Sequence, residues 1–248
     1  MKIAVLSGSP KGLTSVTVQY VRFLQKQFPQ HTFAIHNVAG DLRSLEDRPE
    51  VFQSLIAEIA AADGVLWAFP VYVLLVHAHY KRFIELVEER GVEQAFRGKY
   101  AAALSTSIHF FDHTAHNYIQ AVSEDWQMRY WGGYSAEMYD LLKEPERRRL
   151  LRFAEDFLTA IAAHTIPPRC YAPLQNRSFE YLSGGQPVTV DAGPKQVLVV
   201  TDAEDHQTNL QRMIERFRAN FAAPPAVINL RAVNIRHGCL GCIQCGLD

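Results

Sequence analysis

Residues 2–17 read KIAVLSGSPKGLTSVT: a short apolar run with β-branched residues, then Gly-Ser-Pro, then a polar stretch of small residues. The apolar run has the length and composition of a buried strand. From Ser15 to Gln27 the apolar positions change to Val18, Val21, Phe23 and Leu24, which suits an amphipathic helix. A buried strand running straight into a helix opens a βα unit. The pattern then repeats. HTFAIHNV and GVLWAF read as strands, the second halted by Pro70, and PEVFQSLIAEIAAAD between them reads as a helix with Phe52, Leu55, Ile56 and Ile59 on one stripe. A helix over 80–89, a strand KYAAALST, a helix over 112–124, a strand over 130–138 and a long helix over 146–164 follow. The last helix places Leu150, Leu151, Phe153, Phe157 and Ile161 inward. Strands alternating with helices predict an α/β fold with a doubly wound parallel sheet covered on both faces.

Composition narrows the function classes. The chain has 248 residues, is 48% hydrophobic and carries a net charge of −1, so it announces no basic face for nucleic acid. No run approaches the roughly 18 apolar residues of a membrane helix. MKIAVLSGSP is interrupted too early by Gly and Pro to act as a secretory signal, so the expectation is a cytoplasmic protein whose four cysteines are thiols.

In open parallel sheets, ligands sit beyond the carboxyl ends of the strands. The loops after the first, third and fourth strands are therefore the candidate site. The first, SGSPKGLTSVT (7–17), feeds small hydroxyl residues and Lys11 into a helix N-terminus, which suits a phosphate as well as an ordinary capped turn. It is neither G-x-x-x-x-G-K-[ST] nor G-x-G-x-x-G. The third-strand loop begins Pro70-Val71-Tyr72, with Lys81 nine residues after the tyrosine and Phe83 two further on.

Taken together, SGSPK and P-V-Y with its following lysine and aromatic resemble the NADPH-dependent FMN reductase branch of the flavodoxin-like superfamily. The resemblance covers about residues 1–164. It implies a flavodoxin-like sheet of order 2-1-3-4-5 and FMN as cofactor. On the matching positions, Ser9, Lys11, Thr14 and Ser15 would hold the phosphate, with Ser7 and Val16 beside them. Pro70, Val71 and Tyr72 would flank the isoalloxazine, and Ser105, Thr106 and His109 would offer donors to its polar edge. NAD(P)H would be the reductant and a flavin, quinone or other small molecule the acceptor. A homodimer or higher oligomer would cover the ring, with the aromatic-rich stretch from Phe110 to Tyr134 supplying the cover. Where the family often has Gly or Pro after P-x-Y, this chain has VLLVHAH.

His109, Asp112, His113 and His116 have spacings that would place several metal ligands on one helical face, or simply make a polar helix start. Trp126, Tyr130 and Trp131 form an aromatic cluster suited to core or subunit contact.

After His164 the texture changes. Residues 165–194 are rich in Pro and Gly and predict a linker with one hairpin, FEYL and PVTV around Ser-Gly-Gly-Gln. KQVLVVTD, a helix over 208–221 and AVINLRAVNI then restart the alternation, so 195–248 resembles the opening βαβ of a second flavodoxin-like repeat. Its loop carries Asp202, Glu204 and Asp205 where a phosphate would sit, which predicts no second FMN. The sequence closes on Cys239, Cys242 and Cys245. Ordinary thiols, three ligands of an iron–sulfur cluster lacking a local fourth, zinc or a redox pair all fit that spacing. The resemblance implies an FMN-dependent NAD(P)H oxidoreductase; the alternatives are a flavin-binding electron carrier without a nicotinamide site, an iron–sulfur flavoprotein, or a scaffold whose loops no longer bind flavin.

Overall fold

The computed structural model describes residues 1–108, 111–174 and 179–234. One compact unit runs over Met1–Leu174, and a second lies within Gln175–His237.

The first unit is built from β1 (Lys2–Ser7), α1 (Val16–Gln27), β2 (Thr32–His36), α2 (Leu42–Asp47), α3 (Pro49–Ala60), β3 (Gly64–Pro70), α4 (Ala78–Glu89), β4 (Tyr100–Ser107), α5 (His113–Asp125), β5 (Arg129–Glu137) and α6 (Glu144–Ala162). The five strands pair in parallel in the order β2-β1-β3-β4-β5, the flavodoxin-like order. Only α2 lacks a counterpart in the sequence pattern; six residues with two buried leucines, Leu42 and Leu45, are too short to show a period. β5 carries a bulge: Tyr130 pairs with Ala101 and Gly132 with Ala102, so Trp131 is the extra residue.

Alternation along the strands divides the core in two. Trp67, Phe69, Ala101 and Ala103 pack with α3, α4 and α5 on one face. Leu66, Ala68, Ala102 and Leu104 pack with α1 and α6 on the other. Trp67 stacks on Phe96 at 6.2 Å and lies against Trp126 at 5.8 Å. On α6, Leu150, Ala154, Phe157, Leu158, Ala160 and Ile161 are buried, while Leu151 and Phe153 pack at the margin. Removing the Phe157 ring would cost about 3–5 kcal/mol. Trp126, Tyr130 and Tyr134 are likewise buried within the chain's own core, so within the stretch 110–134 expected to cover a neighbouring subunit's ring these three are taken up internally, while Phe111 is exposed.

Beyond α6, the carboxylate of Glu124 accepts the backbone N–H groups of Cys170 and Tyr171 at 2.9 and 2.7 Å and the Gln120 amide at 2.8 Å. Asp125 accepts the N–H of Leu174 at 3.2 Å. Burial alone would raise the Glu124 carboxyl, but these donors hold it below its ordinary value. Residues 169–174 are thus strapped to the C-terminal end of α5.

The second unit contains β6 (Leu198–Thr201), α7 (Thr208–Arg218) and β7 (Ala226–Asn229), with β6 and β7 parallel. The expected hairpin does not form. The carbonyls of Gly184 and Gln186 accept from Arg216 of α7 at 3.1 and 3.0 Å, and Asn220 accepts the N–H of Val188 at 3.1 Å. Those groups are spent on α7 and its following turn rather than on a partner strand, and Val190 pairs only with Phe221, as an isolated parallel bridge. In the acidic loop after β6, Arg231 donates to the Asp202 carbonyl at 2.6 Å and pairs with Glu204.

Candidate functional site

The first loop leaves β1 and meets the sheet again at once: Gly8 N–H donates to the Ala68 carbonyl at 2.8 Å. A Cβ at Gly8 would come within 2.8 Å of the Tyr80 ring and 2.9 Å of Phe69, so only glycine lets the loop pass so close to α4. Gly12, at φ +55°, then turns the chain into a single 3-10 turn, Gly12–Thr14. That turn separates the sequence-predicted hydroxyls. Thr14 is exposed and donates to the Lys11 carbonyl at 2.8 Å. Ser15 becomes the N-cap of α1, yet its hydroxyl makes no capping bond. The first turn of α1 also carries no acidic side chain. An uncommitted hydroxyl, a helix N-terminus and Lys11 form a donor set that fits a phosphate dianion.

Thr17, the second residue of α1, was not singled out by the sequence. Its hydroxyl meets that of Thr106 at 2.5 Å, and both are buried, which ties α1 to the end of β4. A Ser-x-Thr pattern beginning at Ser15 instead of Thr14 was the available signal. Tyr20 locks the same helix to β5 by donating to the Glu137 carbonyl at 2.6 Å.

The third loop is held by the N–H of Val71, which donates to the Thr106 carbonyl at 2.9 Å. Tyr72 and Leu75 close a two-residue turn, and the Tyr72 ring lies edge-on to His77 at 4.9 Å. His77 is buried and caps α4 by accepting from the His79 N–H at 3.2 Å. Lys81 lies over the Tyr118 ring at 5.5 Å and Phe83 is fully buried, so these two motif positions fasten α4 into the fold.

One cavity of about 230 Å³ gathers the loops: Ser9, Lys11, Ser15 and Val16 from the first, Pro70, Val71 and Tyr72 from the third, and Thr106, Ser107, Ile108 and Met138 from the ends of β4 and β5. Eight of the twelve sequence-predicted cofactor residues line it. Of the other four, Thr14 faces outward, and Ser7 is buried at the end of β1 with its hydroxyl unpartnered. His109 lies outside the described residues. The fourth, Ser105, is fully buried on the opposite side of β4 from Thr106 and is committed elsewhere: it donates to the Asp112 carboxylate, and His116 Nε2 lies 2.9 Å from its hydroxyl.

Asp112 and His116 therefore meet around a serine, with His116 Nε2 3.2 Å from Asp112 Oδ2. Burial pulls His116 below its ordinary pKa. Burial would raise Asp112, but the Ser105 and Ser135 hydroxyls, and after them the imidazole, outweigh it and hold the carboxyl low. His113 is exposed and takes no part. Among the described residues, no group of three or more His, Cys, Asp or Glu side chains is arranged to hold a metal. Cys239, Cys242 and Cys245 lie outside the described residues. No described helix is long and apolar enough to cross a membrane.

Comparison with solved structures finds the same fold in FerB, an NAD(P)H:(acceptor) oxidoreductase from Paracoccus denitrificans. It has 22% identity and a TM-score of 0.57, and the match covers 66% of this chain and 98% of that one. The apo form of the NADH:FMN oxidoreductase EMOB matches with 17% identity and a TM-score of 0.52, over 64% of this chain and 89% of that one. An oxidoreductase from Corynebacterium diphtheriae matches with 13% identity and a TM-score of 0.52, over 65% and 97%. No curated protein matches the chain. The family model for NADPH-dependent FMN reductase matches residues 1–138, a span that holds every residue of the cavity and all five strands around it. The chain belongs to the NADPH-dependent FMN reductase family of oxidoreductases.

Proposed function

We propose that the cavity binds FMN and that the protein is an NAD(P)H-dependent oxidoreductase delivering electrons to a small-molecule acceptor. The observation that carries this reading is the convergence of a phosphate-type donor set and the Pro70-Val71-Tyr72 loop on one cavity at the carboxyl ends of β1, β3 and β4. Lys11 and Ser15 hold the phosphate, with the backbone N–H groups at the start of α1. Pro70, Val71 and Tyr72 set the plane of the ring, and Thr106 and Ser107 face its polar edge. When bound, FMN would supply the redox chemistry between NAD(P)H and the acceptor. No side-chain acid or base is needed for that transfer, so the chain's own work is to orient the ring and keep one of its faces accessible.

The acceptor is a flavin, a quinone or another small planar molecule. The loops that meet at the cavity carry an apolar rim, Leu13, Val73, Leu74, Ile108 and Phe111, all more than half exposed, of which Ile108 lines the cavity itself; such a surface favours a ring over a charged acceptor. The same rim is the surface on which a homodimer would close, and light scattering giving only a 28.1 kDa particle at micromolar concentration would sink that part of the reading.

The test is anaerobic rapid mixing of FMN-loaded protein with NADH and with NADPH. Fast loss of flavin absorbance with either supports the reductase. Bound flavin that neither nucleotide bleaches makes the protein a carrier. Protein that takes up no FMN overturns the reading.

A further inference from the structure

Ser105 and Thr106 are neighbours on β4, so their side chains leave opposite faces of the sheet. Each is gripped. Thr106 meets Thr17 of α1, while on the other face Ser105 is enclosed by Asp112 and His116 of the α5 start. Asp112 is the N-cap residue of α5 yet makes no capping bond with its side chain. It turns back to β4 instead, forgoing a cap of about 1 kcal/mol. Space has been kept for His116: a Cβ at Gly133 would overlap its Nδ1, and Phe69 packs on its ring at 5.7 Å. Ser105 has one proton and gives it to the carboxylate. Its lone pair is then left to accept from His116 Nε2–H, which fixes the imidazole as that tautomer.

We propose that His116 is a positioning residue of the flavin site: with Asp112 it clamps Ser105, and so sets where the end of β4 presents Thr106, Ser107 and Ile108 to the cavity. The clamp reaches further. The Thr106 carbonyl accepts from Val71 N–H, and the Ser107 carbonyl accepts from Met138 N–H at 2.8 Å, so the third loop and the end of β5 take their places from the same two residues. The proposal rests on reading the cavity as the FMN site.

The experiment compares His116→Leu and His116→Gln in the full chain, by fluorescence titration with FMN at a temperature well below the melting midpoint of each apoprotein. The leucine fills the space and cannot donate to Ser105; FMN should bind about tenfold more weakly or worse. The glutamine amide can donate to Ser105, and binding should stay close to that of the parent. Asp112→Asn keeps the shape while removing the charge, and should also weaken FMN about tenfold; it serves as the second variant if His116→Leu does not fold. A leucine or asparagine variant that melts lower but binds FMN like the parent makes the cluster structural only and overturns the proposal alone. A parent that takes up no FMN overturns the flavin reading and this proposal with it.

Discussion

Tyr72 and Leu75 exchange both of their backbone hydrogen bonds, Tyr72 N–H to the Leu75 carbonyl at 2.7 Å and Leu75 N–H to the Tyr72 carbonyl at 3.1 Å. The two residues between them, Val73 and Leu74, are forced to φ +46° and +68°. This is a type I′ geometry, which favours Asn-Gly and disfavours a β-branched residue most of all. Both side chains are exposed and gain nothing from burial to offset the strain.

Replacing Val73-Leu74 by Asn-Gly should therefore stabilise the protein by about 1–3 kcal/mol. Thermal unfolding of the double variant would show it as a rise of several degrees. An unchanged or lowered midpoint would mean the turn is not strained.

In the first loop, proposed to hold the phosphate, the structure separates residues that the sequence groups together. Lys11→Glu should weaken FMN at least about tenfold, since a charge-assisted bond is worth roughly 1.5–3 kcal/mol and the new carboxylate repels the phosphate. Ser15→Ala should weaken it in the same direction. Thr14→Ala should have little effect, because that hydroxyl is spent on the Lys11 carbonyl. Titration of the three variants with FMN decides the matter, and a Thr14 variant that binds as poorly as the Lys11 variant would contradict the geometry.

Gly8→Ala probes the close approach between the first loop and α4. A methyl group 2.8 Å from the Tyr80 ring must push either the ring or the loop aside, at a cost of about 1–3 kcal/mol. Chemical denaturation should report the loss, and FMN affinity should fall with it because the displaced loop is the one proposed to hold the phosphate. Wild-type stability in this variant would show that the packing there is loose.

The Glu124 strap predicts a pH dependence. The folded carboxyl lies below its ordinary value of 4.5, so the stability it contributes is present above that value. That contribution is lost as pH falls through the lower, folded pKa. Amide exchange of Cys170 and Tyr171, corrected for intrinsic rate, should be slow at neutral pH and should accelerate once the carboxylate is protonated. In Glu124→Ala it should be fast throughout. Protection that persists in the alanine variant would assign the strap to other contacts.

Much of this was legible in the sequence. Apolar runs such as KIAVLS and GVLWAF, and stripes such as Phe52, Leu55, Ile56 and Ile59, each declare an element and its buried side, and these fix the sheet and its two cores. The lining of the cavity was legible where it depends on which loop a residue occupies, as for Lys11, Ser15 and Pro70–Tyr72. It was not legible where it depends on direction. Ser105 and Thr106 look alike in sequence, yet strand alternation sends one to the cavity side and the other to Asp112. The four-residue spacing of Asp112 and His116 was visible, but it fits a metal as well as a serine; only the arrival of β4 between them decides. Thr17 was missed because the loop offers two adjacent hydroxyls, Thr14 and Ser15, and only the Gly12–Thr14 turn decides where α1 starts and which later hydroxyl meets β4.

The strand order has a consequence for biosynthesis. β1 lies inside the sheet, with β2 on one side and β3 on the other. A ribosome releases β1 first, and its second partner, β3, begins only at Gly64. At 5–20 residues per second, KIAVLS waits roughly 3–12 s with an open edge. A short, β-prone run with a single charge, Lys2, at its start is in that condition an aggregation hazard. Slower translation between β1 and β3 should lower the yield of native protein, and a holding chaperone acting on the first 60 or so residues emerging should restore it.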